Sequence, residues 1–283
     1  MHAHALHHVD LHTHTTASDG VLSPADLVAA AHAFGLTTIA VTDHDTVAGI
    51  AAARQAATGT GLRVLPGVEL GARHAETSVH LLGYGIDPAS PALIQGLADL
   101  ARQREARARA MLERLAEAGA PLSWEAVRAG SSSTIGRPHI ARALVAAGYA
   151  ADLQDAFAGL LSTRSPAYIP SAHLSVADVV ALVSAAGGAV ALAHARRPGT
   201  RLDLVRELPA LRAAGVRGLE VYHSEHDAAT SRALAAFADD EGMWWSGGSD
   251  FHGPGKPPKG LGSVAVPPEV LDQPIFQADR LTG

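Results

Sequence analysis

The chain has 283 residues, 47% hydrophobic and 18% charged, a globular balance that excludes a disordered chain and offers no apolar run long enough to cross a bilayer. It contains no cysteine, so disulfides, thiolate zinc sites and cysteine nucleophiles are excluded, and any metal must be held by nitrogen and oxygen. Net charge is −6, yet residues 100–170 carry nine arginines against six acids, which leaves −9 on the remainder; sixteen histidines stand against two lysines, Lys256 and Lys259.

The start of the chain, Met1 to His8, has neither the positive opening nor the apolar stretch of a signal peptide, so the cytoplasm is the expected compartment. Short β-like runs then recur: Val9 to Leu11, Thr38 to Thr42, Arg63 to Leu70, Val79 to Tyr84, Ala189 to Ala193, Gly218 to Tyr222 and Trp244 to Gly247. Alternation of such runs with alanine-rich helical patterns argues for an α/β fold with a parallel sheet. Polar residues follow nearly every run, which favours a closed or nearly closed barrel over an open sheet with one crevice.

Between about Pro91 and Pro170 the rhythm changes to helical spacing: Leu93, Leu97 and Leu100, then Met111, Leu112 and Leu115, then Ile140, Leu144 and Val145. Ser131 to Thr134 reads as a loop, and Arg137-Pro138 as a helix start, because proline in the first turn loses nothing by lacking an N–H. The expected organisation is a barrel formed by residues 1–90 and 171–283, with a helical subdomain inserted at 91–170.

The runs end in side chains that can bind metal. Asp10-Leu11-His12-Thr13-His14 follows the first, and in an extended segment residues two apart point the same way, so both imidazoles can face one ion. Thr42-Asp43-His44-Asp45-Thr46 follows the second, where one of the two aspartates can simply cap the next helix. Then come Pro66-Gly67-Val68-Glu69, Val79-His80-Leu81-Leu82-Gly83-Tyr84, Ala193-His194-Ala195, Glu220-Val221-Tyr222-His223 and Ser249-Asp250-Phe251-His252-Gly253. Each is weak alone, but at the carboxyl ends of barrel strands they can converge on one pocket, and the imidazole–carboxylate mixture suits Mn²⁺, Fe²⁺ or Zn²⁺ better than Mg²⁺ alone.

In this order, HTHTTASDG, TDHDT, PGVE, HLLGYG, AHA, EVYH and SDFHG resemble the successive motifs of the PHP (polymerase and histidinol phosphatase) family of phosphoesterases. The resemblance implies a distorted (β/α)7 barrel with a small helical insertion over its mouth, and three divalent ions. His12, His14, Glu69 and Asp250 would hold one ion; Glu69 would bridge to a second held by His80 and His194; Asp19, His44 and His252 would hold the third. Ile135-Gly136-Arg137-Pro138-His139 looks like the substrate motif of the insertion, with Arg137 and His139 on phosphate. The subgroup with this insertion includes enzymes acting on nucleoside 3′,5′-bisphosphates and on the 5′ ends of short RNA. Family members often have His-Pro after the fifth strand, whereas this chain reads His194-Ala195-Arg196-Arg197-Pro198, which leaves the roles of both arginines open.

Clustered ions can lower the pKa of water and neutralise phosphoryl charge, so the expected chemistry is phosphate monoester hydrolysis by a metal-activated hydroxide, with no protein nucleophile. His223 is the candidate to donate a proton to the leaving alkoxide or to contact phosphate. Arg104, Arg107, Arg137 and Arg196 are candidate phosphate contacts, since arginine's planar fork suits that anion; for those on the long helix a solvated face paired with Glu105, Glu113 and Glu117 is the competing reading. Only 4% of residues are aromatic and the net charge is negative, so a nucleotide or a short RNA end is expected rather than a DNA duplex, and no membrane. A phosphatase for a small metabolite such as histidinol phosphate is the alternative.

Overall fold

A computed structural model describes residues 9–75, 77–129, 135–170, 174–196, 202–254 and 260–277. Two compact units emerge, Met1–Gln95 with His173–Gly283, and Gly96–Ala172, so the division falls inside the long helix that opens the insertion.

The first unit is built on β1 (Val9–Thr13), β2 (Thr38–Val41), β3 (Arg63–His74), β4 (Thr77–Tyr84), β5 (Leu174–Ser175), β6 (Ala189–Leu192), β7 (Gly218–His223) and β8 (Trp244–Gly248). Seven of these lie in the order β1-β2-β3-β4-β6-β7-β8, and the two-residue β5 pairs with β3 off that path. The seam between the ends nearly closes: Thr13 bridges Phe251 in parallel, the His14 N–H donates to the Phe251 carbonyl at 2.9 Å, and the Phe251 N–H donates to His12 at 3.3 Å. A nearly closed, barrel-shaped sheet of seven strands with surrounding helices results, as expected from the sequence.

The expected all-parallel sheet is corrected at one place. β3 and β4 form an antiparallel hairpin, with Gly71 opposite His80 and Glu69 opposite Leu82, and β4 is antiparallel to β6 as well. No helix intervenes between β3 and β4, so the chain reverses directly and β4 runs against its neighbours. Reversal brings the early part of β4 to the carboxyl ends of the parallel strands: the Ala193 N–H donates to the His80 carbonyl at 3.0 Å.

Alternation within these strands separates floor from site. On β3, Leu65 and Glu69 share a face, as do Tyr84, Leu82 and His80 on β4. Leu65, Leu82 and Tyr84 join Val9, Leu11, Ala40, Ala191, Val266, Val270 and Phe276 in one buried apolar cluster, so on β3 and β4 one face carries both the apolar floor and the ligating side chain.

Helices α1 (Pro24–Ala33) and α2 (Ala48–Ala57) belong to this unit. Ser23 caps α1, its hydroxyl accepting from Asp26 N–H at 3.1 Å, and proline occupies the first turn. Neither Asp43 nor Asp45 caps α2, which corrects that expectation: the cap position is Val47 and makes no side-chain bond.

The second unit contains most of α3 (Pro91–Glu117), then α4 (Trp124–Arg128), α5 (Arg137–Ala146) and α6 (Leu153–Ala158), with no strand among its described residues. Its core is Met111, Leu115, Ile140, Leu144 and Leu161, all fully buried, which is the helical spacing read from the sequence. α5 begins at Arg137 with proline in its first turn. The predicted loop Ser131 to Thr134 lies outside the described residues. After it, the first unit resumes with α7 (Val176–Ala185), α8 (Leu204–Ala213), α9 (Ala228–Asp240), and a short α10 (Pro274–Gln277). No described helix is long and apolar enough to cross a membrane.

Candidate metal centre

Every side chain of the first unit that the sequence singled out as a ligand arrives at one end of the barrel. His12 is the penultimate residue of β1, His14 and Asp19 follow it, His44 follows β2, and His194 follows β6. Asp250 and His252 follow β8, while Glu69 and His80 lie inside β3 and β4 rather than at their ends. Local backbone is forced to do this: His194 has φ 27° and Asp250 φ 56°, left-handed values that non-glycine residues adopt only where surrounding structure holds them. Gly248 lets β8 approach β1, since a Cβ there would lie 2.3 Å from the His12 nitrogen.

Glu69 is the hub. Its Oε2 lies 3.2 Å from His12 Nε2, 3.3 Å from His14 Nε2 and 3.2 Å from His44 Nδ1; its Oε1 lies 2.7 Å from His80 Nδ1 and 3.1 Å from His194 Nε2. Asp250 Oδ1 is 3.0 Å from His14 Nε2 and 3.3 Å from His12 Nε2. Asp19 Oδ1 is 3.3 Å from His252 Nε2, and the His14 and His252 rings stack with centroids 4.0 Å apart.

Among the described residues, four groups bring ligand atoms within 4.8 Å of one another: His12, His14, Glu69 and Asp250; His14, Asp19, His44 and His252; His44, Glu69 and His80; and His12, Glu220 and His223. The groups share members, and Glu69 belongs to two of them. Nitrogen and carboxylate oxygen in these proportions fit divalent transition metals. His14 Nδ1 and His223 Nε2 are buried without a hydrogen-bond partner, consistent with atoms that serve something other than the protein.

Burial of so many ionisable groups is sustained by mutual compensation. Desolvation disfavours charge on His12, but Glu220, Asp250 and Glu69 outweigh it and hold its pKa well above the usual imidazole value. His14 is raised to about 9 against burial by hydrogen bonds to Asp250 and Glu69. Burial dominates at His44, which falls to about 3, and it also lowers His194. Glu69, Asp250 and Asp19 are all depressed because surrounding imidazoles overcome the desolvation that would raise them.

Three carboxylates behind the cluster, Asp10, Asp43 and Glu220, stand in the sequence motifs but are assigned to no ion there. Asp10 accepts from Ser249 N–H at 2.8 Å, Ser249 Oγ–H at 2.6 Å and Gly262 N–H at 2.9 Å, tying β1 to the segment after β8. Asp43 accepts from Thr15 N–H, Thr15 Oγ–H and Ser18 Oγ–H at 2.7, 2.7 and 2.6 Å, which shapes the loop carrying His14 and Asp19. Glu220 contacts His12 and the His194 backbone. Their signal was present: each is an acid inside or directly after an apolar run, where burial demands compensation.

His223 sits at the end of β7, past a register shift between Glu220 and Tyr222 of the kind that re-aims side chains beside active sites. Its Nδ1 accepts the Glu225 N–H at 3.1 Å, so the neutral ring carries its proton on Nε2, which lies 3.7 Å from Asp250 Oδ2.

Within the second unit, the Arg137 guanidinium carbon is 5.7 Å from the Phe157 ring centre and 5.5 Å from that of Tyr168, and Arg107 lies 5.8 Å from the same tyrosine ring. Arg107 Nε donates to the Ile169 carbonyl at 2.7 Å, so Arg107 and Arg137 meet on Tyr168, and Arg104 is half-buried on the same helix. Arg109 instead pairs with Glu105 at 2.8 Å, the solvated-face arrangement. His139 is buried, and its Nδ1 accepts the Gly136 N–H at 3.1 Å, capping α5. Arg196 is exposed after β6, and Arg197 lies outside the described residues.

Comparison with known proteins defines the class. Residues 10–90 match the family model of the PHP domain. The 3′,5′-nucleoside bisphosphate phosphatase of Chromobacterium violaceum is 35% identical over 95% of this chain and 95% of its own. This chain therefore belongs to the PHP family of phosphoesterases, hydrolases of phosphoric esters. It is also similar to the 5′-3′ exoribonuclease Rnm of Salmonella typhimurium, at 37% identity over 87% of this chain and 85% of that one. Among solved structures, one described as a metal-dependent phosphoesterase from Bifidobacterium adolescentis superposes with a TM-score of 0.82 at 39% identity, covering 93% of this chain and 94% of that chain.

Proposed function

We propose that this protein removes phosphate from nucleotides such as nucleoside 3′,5′-bisphosphates, or cleaves at the 5′ ends of short RNA, using three divalent ions. The reading rests on Glu69, whose two carboxylate oxygens divide five imidazoles between them, His12, His14 and His44 on one side and His80 and His194 on the other. A carboxylate so placed suits a ligand that bridges two ions. His12, His14 and Asp250 would complete one site, His80 and His194, both beside Glu69 Oε1, the next, and Asp19, His44 and His252 the third, with Mn²⁺, Fe²⁺ or Zn²⁺ as the ions these donors suit. When bound, such ions supply positive charge against phosphoryl oxygens and lower the pKa of water.

The protein's own groups supply the rest. The His223 Nε2–H is the proton to be offered to the leaving alkoxide or to a phosphate oxygen. Arg137 offers a planar pair of donors, and His139, with Nδ1 committed to Gly136, presents its proton on Nε2. Relatives named for nucleoside bisphosphates and for 5′-3′ exoribonuclease action support a nucleotide substrate, and a net charge of −6 suits a small anion held at a metal site better than a long duplex. The test is phosphate release by Mn²⁺-loaded protein from adenosine 3′,5′-bisphosphate and from histidinol phosphate. The first is expected to be much faster; equal or inverted rates would assign the protein to small-metabolite phosphatases.

A further inference from the structure

We infer that Glu220 is a positioning residue that sets two metal ligands at once, one imidazole and one strained backbone, without itself holding an ion. The inference rests on the reading above, in which His12 and His194 serve neighbouring ions.

Glu220 is fully buried on β7, and each of its oxygens has a different task. Oε1 lies 2.8 Å from His12 Nδ1. Oε2 accepts the backbone N–H of His194 at 2.6 Å, a short, charge-assisted bond. Sequence and register explain why this residue reaches both. The β6–β7 ladder ends with Leu192 paired to Leu219, so Glu220 is the next residue along β7 as β6 leaves the sheet. The His194 N–H has no strand partner there, and a side-chain carboxylate takes the place of the missing ladder carbonyl.

Both contacts matter for ligand geometry. Imidazole has two distinct nitrogens, and a proton fixed on one leaves the lone pair on the other. His12 Nε2 faces Glu69 and Asp250, the proposed ligand side, at 3.2 and 3.3 Å. A carboxylate on Nδ1 holds the proton there and keeps Nε2 open for an ion, which is the partner a metal-ligating histidine requires. At His194 the backbone stands at φ 27°, and the bond to Glu220 anchors that turn so that its Nε2 reaches Glu69 at 3.1 Å.

The grouping of His12, Glu220 and His223 could instead be taken as a separate cation site. Its geometry argues otherwise. An ion between Glu220 and His12 would need His12 Nδ1 as a ligand while Nε2 faces the main cluster, so one ring would serve two ions. The Glu220 oxygens are already matched to N–H donors, and His223 Nδ1 is occupied by Glu225.

The experiment is E220Q, which keeps shape but offers one acceptor and one donor where the site presents two N–H groups. Mn²⁺ binding to metal-free wild type and E220Q, followed by electron paramagnetic resonance of free Mn²⁺, is expected to show affinity reduced about 10- to 100-fold in the variant. In turnover, kcat should fall at limiting Mn²⁺ and recover at saturating Mn²⁺, with KM for the nucleotide unchanged. Unchanged Mn²⁺ affinity overturns the inference, as does loss of one whole ion that saturating metal cannot restore, the signature of a direct ligand. A second measurement does not depend on the variant folding: ¹⁵N shifts of histidine in Zn²⁺-loaded wild type should place the His12 proton on Nδ1, and a proton on Nε2 would refute the assignment. Should neither protein hydrolyse phosphate esters while their metal affinities differ as expected, the functional reading fails and the role of Glu220 stands.

Discussion

Replacing Glu69 by glutamine removes one negative charge from the centre of five imidazoles while keeping the side chain's shape. In metal-free protein near pH 7, His12 and His14 are held protonated, the second with a pKa of about 9, and Glu69 is one of the carboxylates that hold them so. Removing one partner of a buried charge pair costs about 3–5 kcal/mol. At roughly 2–4 °C per kcal/mol for a chain of this size, E69Q should lower the Tm in EDTA by about 6–20 °C. The cost must also depend on pH with a definite sign. A histidine raised from 6.5 to about 9 contributes stability that is complete below 6.5 and lost as pH rises through 9. Wild type should therefore lose stability over that window and E69Q should lose less, so the two melting curves draw together as pH rises through about 9. Thermal unfolding by circular dichroism in EDTA across this range measures it. A difference that stays constant with pH would show that Glu69 acts through packing and not through charge.

Other perturbations separate the parts of the site. Asp19→Ala and His252→Ala should each weaken the proposed third ion, read as loss of one equivalent by elemental analysis with the other two retained, because Asp19 and His252 lie 3.3 Å apart beside His14. Arg137→Ala should leave metal content unchanged and raise KM for phosphorylated substrates, with kcat/KM falling about 10- to 100-fold, the range of a charged hydrogen bond. Arg137→Lys should fail to restore it, since an ammonium lacks the planar fork. Gly248→Ala places a Cβ 2.3 Å from the His12 nitrogen and 2.5 Å from its Cβ, so β8 or β1 must shift; an overpacking cost of about 1–3 kcal/mol and weakened Mn²⁺ binding are expected, and a variant with wild-type Tm and affinity would contradict the close approach.

Strand positions and ligand types were legible because they obey local rules. Apolar runs such as Thr38–Val41 and Gly218–His223 have strand length and composition, and metal-competent residues after them are anomalous unless used. Strand direction was legible but missed. The segment between β3 and β4 is short, and that alone required a hairpin, yet Glu69 and His80 read as two further strand ends when considered singly. The supporting acids were visible as buried charges, but what they bond was hidden for a different reason. Asp10, Asp43 and Glu220 bond to partners 25 to 252 residues away or to nearby backbone N–H groups, and no spacing rule reports those contacts. Arg107 shows the opposite error: a helix-face arginine that charge spacing assigns to solvent turns inward to the Ile169 carbonyl and the Tyr168 ring.

The antiparallel β4 is what allows one carboxylate to serve as hub. In a purely parallel barrel, neighbouring strands present their terminal residues side by side on the rim, and each would reach the mouth from its own sector. Here β3 runs past β2, which ends at Val41 opposite Pro66, and continues to His74 with β4 returning alongside. Glu69 is therefore mid-strand, with backbone on both sides holding it: its N–H donates to Asp43, its carbonyl accepts from Asp45, and the pairing with Leu82 fixes it against β4. That rigidity lets a buried carboxylate face five imidazoles without rearranging, as preorganised ligand sets require. A strand end could not supply it, because a residue held from one side follows its loop, and the loops here already stand in strained conformations at His194 and Asp250. The hairpin supplies the fixed centre, and the loops bring the adjustable ligands to it.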